Sequence, residues 1–153
     1  MTSTPEFEPR DPDFEARVRT SFARQNFMDL LGARLLSVAP GAVEIALPIR
    51  RELEQQHGFA HAGATWSIAD SAAGYASHSL MAADEGVLTV ELKINLLAPA
   101  KGEHLIARGR VERAGRRLTV ARADVYAVAG GEETHVAAAL GTFMTMDGLA
   151  DRA

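Results

Sequence analysis

The sequence predicts an α+β fold in which an antiparallel sheet wraps around one long central helix. Three observations predict it. From 62 to 81 the chain is mostly Ala, Gly and Ser, with occasional Ile, Trp, Tyr and Leu. Small residues let a backbone approach its neighbours closely, and a helix without a polar stripe is enclosed by other structure. After this stretch come four strand-length runs with Gly-bearing turns between the later ones, the pattern of an antiparallel meander. Before it, a Pro-Gly turn divides two more such runs. One helix inserted among meander strands makes a two-layer domain with the helix inside.

Taken in order, residues 1–11 are polar, contain Pro and are expected to be loose. Asp11-Pro12 reads as an N-cap followed by Pro at the first helical position. Phe14, Val18, Phe22 and, slightly off register, Phe27 then recur at helical spacing. The run 28–32 closes that region. A strand follows over 33–38, then the turn Ala39-Pro40-Gly41-Ala42. Val43-Glu44-Ile45-Ala46-Leu47 alternates apolar and polar and completes a hairpin. Beyond the helix, Gly86 opens a strand with Leu88, Val90, Leu92, Ile94 and Leu96 on one face. Thr89, Glu91, Lys93 and Asn95 fall on the other, and Pro99 ends the strand. Further strands span 104–112, 118–128 and 134–146. Arg113-Ala114-Gly115-Arg116 and Ala129-Gly130-Gly131-Glu132 are their hairpin turns. Ala137-Ala138-Ala139 could be helical on propensity alone, but the short hairpin spacing makes it strand.

Length and composition exclude several function classes. A chain of 153 residues fits one domain with a full core. Its formal charge of -4, with no basic cluster, argues against a nucleic-acid partner. Cysteine is absent, which excludes disulfides, thiolate metal sites and a Cys nucleophile and fits a reducing, cytoplasmic setting. The first residues have no basic start and no apolar run, so no signal peptide is expected. Asp70, His78 and several Ser residues spoil 62–82 as a membrane span.

Asp70 is the anomaly. An ionised carboxylate inside a helix of small apolar residues is rarely buried without a partner, and functional sites are where such exceptions gather. Read alone, Asp70 is a helix residue that faces solvent or is satisfied by Ser67 or Ser71.

At these residues the chain resembles the hotdog-fold thioesterases of the phenylacetate-pathway (PaaI-like) type, over about 27–146. The motif is a His-Gly-Gly loop followed, nine residues after the His, by an acidic residue on the central helix. Here it stands as His61-Ala62-Gly63 and Asp70. A second block, Thr89-Val90-Glu91-Leu92-Lys93-Ile94-Asn95 with Pro99-Ala100 and Gly102-Glu103, is similar to the family's next strand and exit turn. The resemblance implies a single hotdog domain over 27–146, flanked by an N-terminal tail and amphipathic helix (1–26) and a C-terminal tail (147–153). It implies hydrolysis of acyl-CoA thioesters without metal or organic cofactor. It also implies a homodimer or homotetramer, with each site shared across the dimer interface.

It further implies roles. Asp70 is the nucleophile or the general base on water. Gln55 helps place water or substrate, and Thr89 supports the water or the carboxylate. Ala62, in place of the first Gly of the loop, offers its N–H to the thioester carbonyl; if that position needed a positive φ, Ala would be strained. The N–H groups of Ala62 and Gly63 sit at the helix start, where unpaired donors and partial positive charge favour an oxyanion. His61 orients, Glu91 lies in the block that contacts substrate, and the pantetheine arm runs along 113–118. There Arg113, Arg116 and Arg117 can hold CoA phosphates, guanidinium geometry being suited to them. Without the resemblance, Thr89 is simply a good strand former and the three arginines are a solvated turn. Gln55 is an ordinary loop residue, and Trp66 and Tyr75 are core. His57 and His61 have the spacing of helical metal ligands, but Gly58 and the loop context argue against a metal. Two other uses of the fold remain as rivals: a module that binds acyl-CoA without cleaving it, and a dehydratase or hydratase, whose His-bearing motif is not found.

Overall fold

The computed structural model describes residues 6–149 and 151. Its elements are helices α1 (Phe14–Ala23) and α2 (Asn26–Leu31), strands β1 (Arg34–Ala39) and β2 (Ala42–Pro48), a 3₁₀ turn (Arg51–Leu53) and helix α3 (Ala62–His78). Strands β3 (Glu85–Leu96), β4 (His104–Ala114), β5 (Leu118–Ala129) and β6 (Glu132–Asp147) complete the chain. All six strands form one antiparallel sheet in the order β1-β2-β4-β5-β6-β3. Helix α3 packs across β2, β4, β5, β3 and β6, so the sheet wraps around it as in the hotdog fold. The alanine run 137–139 lies in β6, paired on both sides.

The small residues of α3 set how close helix and sheet come. Ala69, Ala72, Ala73 and Ala76 are fully buried, and the sheet answers with Ala107, Ala121, Ala123 and Ala137, equally buried. Gly109 of β4 marks the closest approach. A Cβ built there would stand 2.2 Å from the backbone carbonyl of Ala72, where no side chain fits.

The N-terminal region departs from expectation. Helix α1 begins at Phe14, with Asp13 rather than Asp11 as N-cap. Asp11 instead accepts the N–H of Asp13 on its carboxylate, closing a turn ahead of the helix. Phe27 belongs to the separate helix α2 and is 54% exposed, since α1 ends at Ala23. Residues 6–11, expected to be loose, are tied down: Phe7 packs against the core, and Arg10 bonds the Leu80 carbonyl and the Glu85 carboxylate. Residues 1–5 lie outside the described residues, as do 150, 152 and 153 of the C-terminal tail.

Arg17 fastens α1 to the end of α3. It donates to Asp11 Oδ2 (2.7 Å), His78 Nε2 (2.7 Å) and the carbonyls of Met81 (2.7 Å), His78 and Glu85 (both 3.3 Å). These bonds use all five guanidinium donors. Because Arg has no acceptor, Nε2 of His78 accepts and the imidazole is neutral. Burial first, then the Arg17 charge, lower the His78 pKa from 6.5 to about 4; the nearby Glu85 carbonyl, Asp151 and Asp11 oppose this. The unfolded chain therefore binds a proton that the folded chain refuses. Stability is fully present above pH 6.5 and is lost as pH falls toward 4. Of the stability lost between pH 7 and pH 5, His78 should account for about 2 kcal/mol. Urea unfolding of wild type and His78→Gln at both pH values checks this: the variant should lack that share of the slope.

β3 carries the other departure. Its pairing with β6 shifts between Thr89 and Glu91, a β-bulge at Val90. One extra residue swaps the faces on either side of it. Val87 therefore packs inward before the bulge, and Leu92 and Ile94 do so after it. Leu88 and Val90, expected to share a face with Leu92 and Ile94, are about half exposed, and so is Leu96. Thr89, expected on the face away from Leu92 and Ile94, turns toward α3 as they do.

Candidate active site

The loop before α3 is shaped by its own polar groups. Gln55 donates its N–H to the Phe59 carbonyl, and its side-chain Oε1 accepts the N–H of His57. His61 caps the helix, its Nδ1 accepting the N–H of Gly63 at 2.8 Å. Gly63 has a steric reason to be glycine, since a Cβ would come within 3.0 Å of that same Nδ1. The capping bond occupies one of the two backbone donors expected to face an oxyanion. The N–H of Ala62 finds no acceptor among the described residues. Ala62 is helical, and no non-glycine residue among those described has a positive φ, so its side chain imposes no strain. Gln55, His61 and Ala62 border a cavity of about 510 Å³ with Phe59, Leu97 and Pro99.

Asp70 lies eight residues beyond Ala62, roughly 12 Å along the helix axis. It is half-buried, and neither Ser67 nor Ser71 satisfies it: the Ser67 hydroxyl turns back to the Gly63 carbonyl. Thr89 donates its hydroxyl to Asp70 Oδ1 at 2.8 Å, the contact that the Val90 bulge makes available. Oδ2 has no hydrogen-bond partner among the described residues. Burial raises the Asp70 pKa above its usual 3.8, and the Thr89 bond pulls partly the other way. A desolvated carboxylate with one oxygen held and the other open can take a proton or attack a carbon.

Asp70 and Thr89 border a second cavity, of about 500 Å³, and Gln55, His61 and Ala62 do not. One chain thus keeps the carboxylate and the backbone donor apart. Trp66, expected in the core, is 38% exposed and forms part of this cavity's wall; Tyr75 is buried yet borders it too. Glu91 is exposed and borders neither cavity. The arginine hairpin lies at the Thr89 end of the sheet, where Thr89 pairs with Phe143, Phe143 with Thr119, and Thr119 with Ala114. Arg117 reaches Asp147 at 3.4 Å, both side chains being exposed. Among the described residues no three His, Asp or Glu side chains gather as a metal site.

Sequence reasoning missed much of the cavity wall around Asp70. Ser21, Gln25 and Met28 come from α1, α2 and the link between them, and Leu149 and Asp151 come from the C-terminal segment. On α3 itself, Gly74 and His78 follow Asp70 at four-residue steps on the same face, a spacing that could have flagged them.

Residues 57–134 match the thioesterase superfamily. A thioesterase family protein from Silicibacter pomeroyi, known by crystal structure, is 49% identical; the match covers 88% of this chain and 99% of that one, with a TM-score of 0.87. A Deinococcus radiodurans protein provisionally named an esterase is 32% identical over 114 residues, 74% of this chain and 73% of its own. The PaaI protein of the Escherichia coli phenylacetic acid degradation operon shares the fold, with a TM-score of 0.80 at 19% identity over 91% of this chain and 97% of that one.

Proposed function

The chain belongs to the thioesterase superfamily and is a thioester hydrolase, and from that premise we propose that it cleaves acyl-CoA thioesters through Asp70. The observation that carries this reading is the Asp70–Thr89 pair: a half-buried carboxylate of raised pKa, one oxygen held and the other open, beside a cavity large enough for an acyl group. As general base, Asp70 takes a proton from water while the hydroxyl attacks the thioester carbon. As nucleophile, its Oδ2 attacks instead, and water later cleaves the anhydride. In both routes the carbonyl oxygen gains charge, the C–S bond breaks and the departing CoA thiolate takes up a proton. An N–H such as that of Ala62, aimed at the developing oxyanion, is worth about 3 kcal/mol of barrier.

One subunit does not assemble both halves. A carboxylate and an N–H roughly 12 Å apart along a helix do not reach one carbonyl. Strand β3 suggests how the halves meet. It is an edge strand with exposed Leu88, Val90 and Leu96, and an unpaired edge of that kind is a template for pairing. A two-fold pairing there would bring the loop of one subunit toward Asp70 of its neighbour. In this reading Gln55 and His61 shape the loop, and Arg113, Arg116 and Arg117 meet the CoA phosphates. The setting is the cytoplasm, where such substrates are found; among the described residues no helix is long and apolar enough to cross a membrane.

Thiol release from short, medium, long and aromatic acyl-CoAs tests the reading, with sedimentation to establish the dimer. No release from any member would overturn it. The pH profile adds a sharper check. Ionised Asp70 is the working form, so activity should fall on the acid side through a pKa above 3.8. The Thr89 bond favours the charged form, and Thr89→Val should move that acid limb to higher pH as well as slow turnover. An unmoved limb would separate Thr89 from the carboxylate's chemistry.

A further inference from the structure

The cavity beside Asp70 has a polar end that the hydrolysis does not use. Ser21, Gln25, Tyr75 and His78 border it, and Ser21, Tyr75 and His78 are each more than nine-tenths buried. Ser21 Oγ and Tyr75 Oη lie 3.2 Å apart, and Gln25 Nε2 donates to Oη at 3.0 Å. The two hydroxyls carry two protons, but only one of these can lie in the bond that joins them. Whichever way that bond runs, one O–H has no acceptor among the described residues. His78 holds a donor that the cavity does not reach. Arg17 engages its Nε2, so the ring proton sits on Nδ1, which has no hydrogen-bond partner among the described residues and no surface open to a ligand.

Buried donors without acceptors are costly, and a native protein keeps few of them. A ligand oxygen in this part of the cavity would satisfy the spare O–H of the Ser21–Tyr75 pair. Asp70 and Asp151 border the same cavity against one guanidinium, Arg24, among the described residues, and this net negative wall disfavours an anionic group there. We propose that this end of the cavity recognises a neutral oxygen, hydroxyl or keto, near the far end of the acyl group, with Ser21 and Tyr75 as the specificity-determining donors. The proposal rests on the acyl-CoA reading above. It adds that an acyl group with a polar tip is preferred to a plain alkyl chain of equal length. A site built to hydrogen-bond a substrate oxygen discriminates strongly against the analogue that lacks it.

The test uses S-alkyl-CoA thioethers of graded length, each with and without a terminal hydroxyl. They lack the carbonyl and cannot be hydrolysed, so calorimetry reads binding independently of catalysis. At the length that reaches the donors, the hydroxylated member should bind wild type about tenfold more tightly or better. In Ser21→Ala/Tyr75→Phe the ratio should fall toward one. Equal affinity at every length, no binding of either member, or a double variant that keeps the ratio would each overturn the proposal. Should the double variant fail to fold, the wild-type ratio decides. Thiol release from the corresponding thioesters is scored separately: its absence defeats acyl-CoA hydrolysis and leaves the binding ratio to be read by itself.

Discussion

Asp70→Asn is expected to release thiol from acyl-CoA about 10²–10⁴-fold more slowly than wild type, while folding at least as stably. Asparagine keeps the shape of the side chain and can still accept the Thr89 hydroxyl through its amide oxygen. It can neither take a proton from water nor form an anhydride. The stability half of the prediction follows from the sign of the pKa shift. The folded pKa of Asp70 is raised, so the stability it contributes is complete below 3.8 and is lost as pH rises through the folded value. At neutral pH the ionised carboxylate is thus a net burden on the fold, and the amide removes it. Steady-state thiol release and a thermal melt at pH 7, on one preparation, check both halves. An active Asn variant would sink the mechanism, and an inactive variant with a much lower midpoint would assign the loss to misfolding.

Gly109→Ala should cost the most stability of any single methyl addition in the sheet. Its new Cβ would stand 2.2 Å from the carbonyl carbon and oxygen of Ala72 and 2.6 Å from the Ala73 nitrogen. These are backbone atoms in the middle of α3 and cannot turn aside like the end of a side chain. Overpacking a core costs about 1–3 kcal/mol and occasionally more. Here the helix itself has to lift off β4, so a loss of about 3 kcal/mol or more is expected. The helix also carries Asp70, so activity should fall together with the urea midpoint. A midpoint within a few tenths of a molar of wild type would mean that the seam between helix and sheet yields more readily than its alanines suggest.

Much of the architecture was legible because it rests on local signals. The small-residue run is a helix at Ala62–His78, and the Gly-bearing turns fall where β4, β5 and β6 are joined. The faces of β3 were not legible. Leu88, Val90, Leu92, Ile94 and Leu96 alternate without a break in sequence, and only pairing with β6 inserts the bulge that moves the first two outward. The start of α1 was misplaced because Asp11 serves Arg17 and the turn ahead of the helix, a demand set by residues some 60 to 70 positions away. The spacing of His61 and Asp70 could be read, but not that Gly63 would be engaged by His61. The Ser21–Tyr75 contact joins residues 54 apart and left no mark in either segment.

The wall around Asp70 has two origins. The carboxylate, its threonine and the α3 face lie within the stretch matched to the superfamily, while Ser21 to Met28, Leu149 and Asp151 lie outside it. On the proposed reading, the groups that react and much of the surface that fits the acyl group thus come from different stretches of the chain. If Asp70 acts as proposed, grafting the termini of a relative is expected to reshape the wall of the cavity and leave the Asp70–Thr89 contact in place.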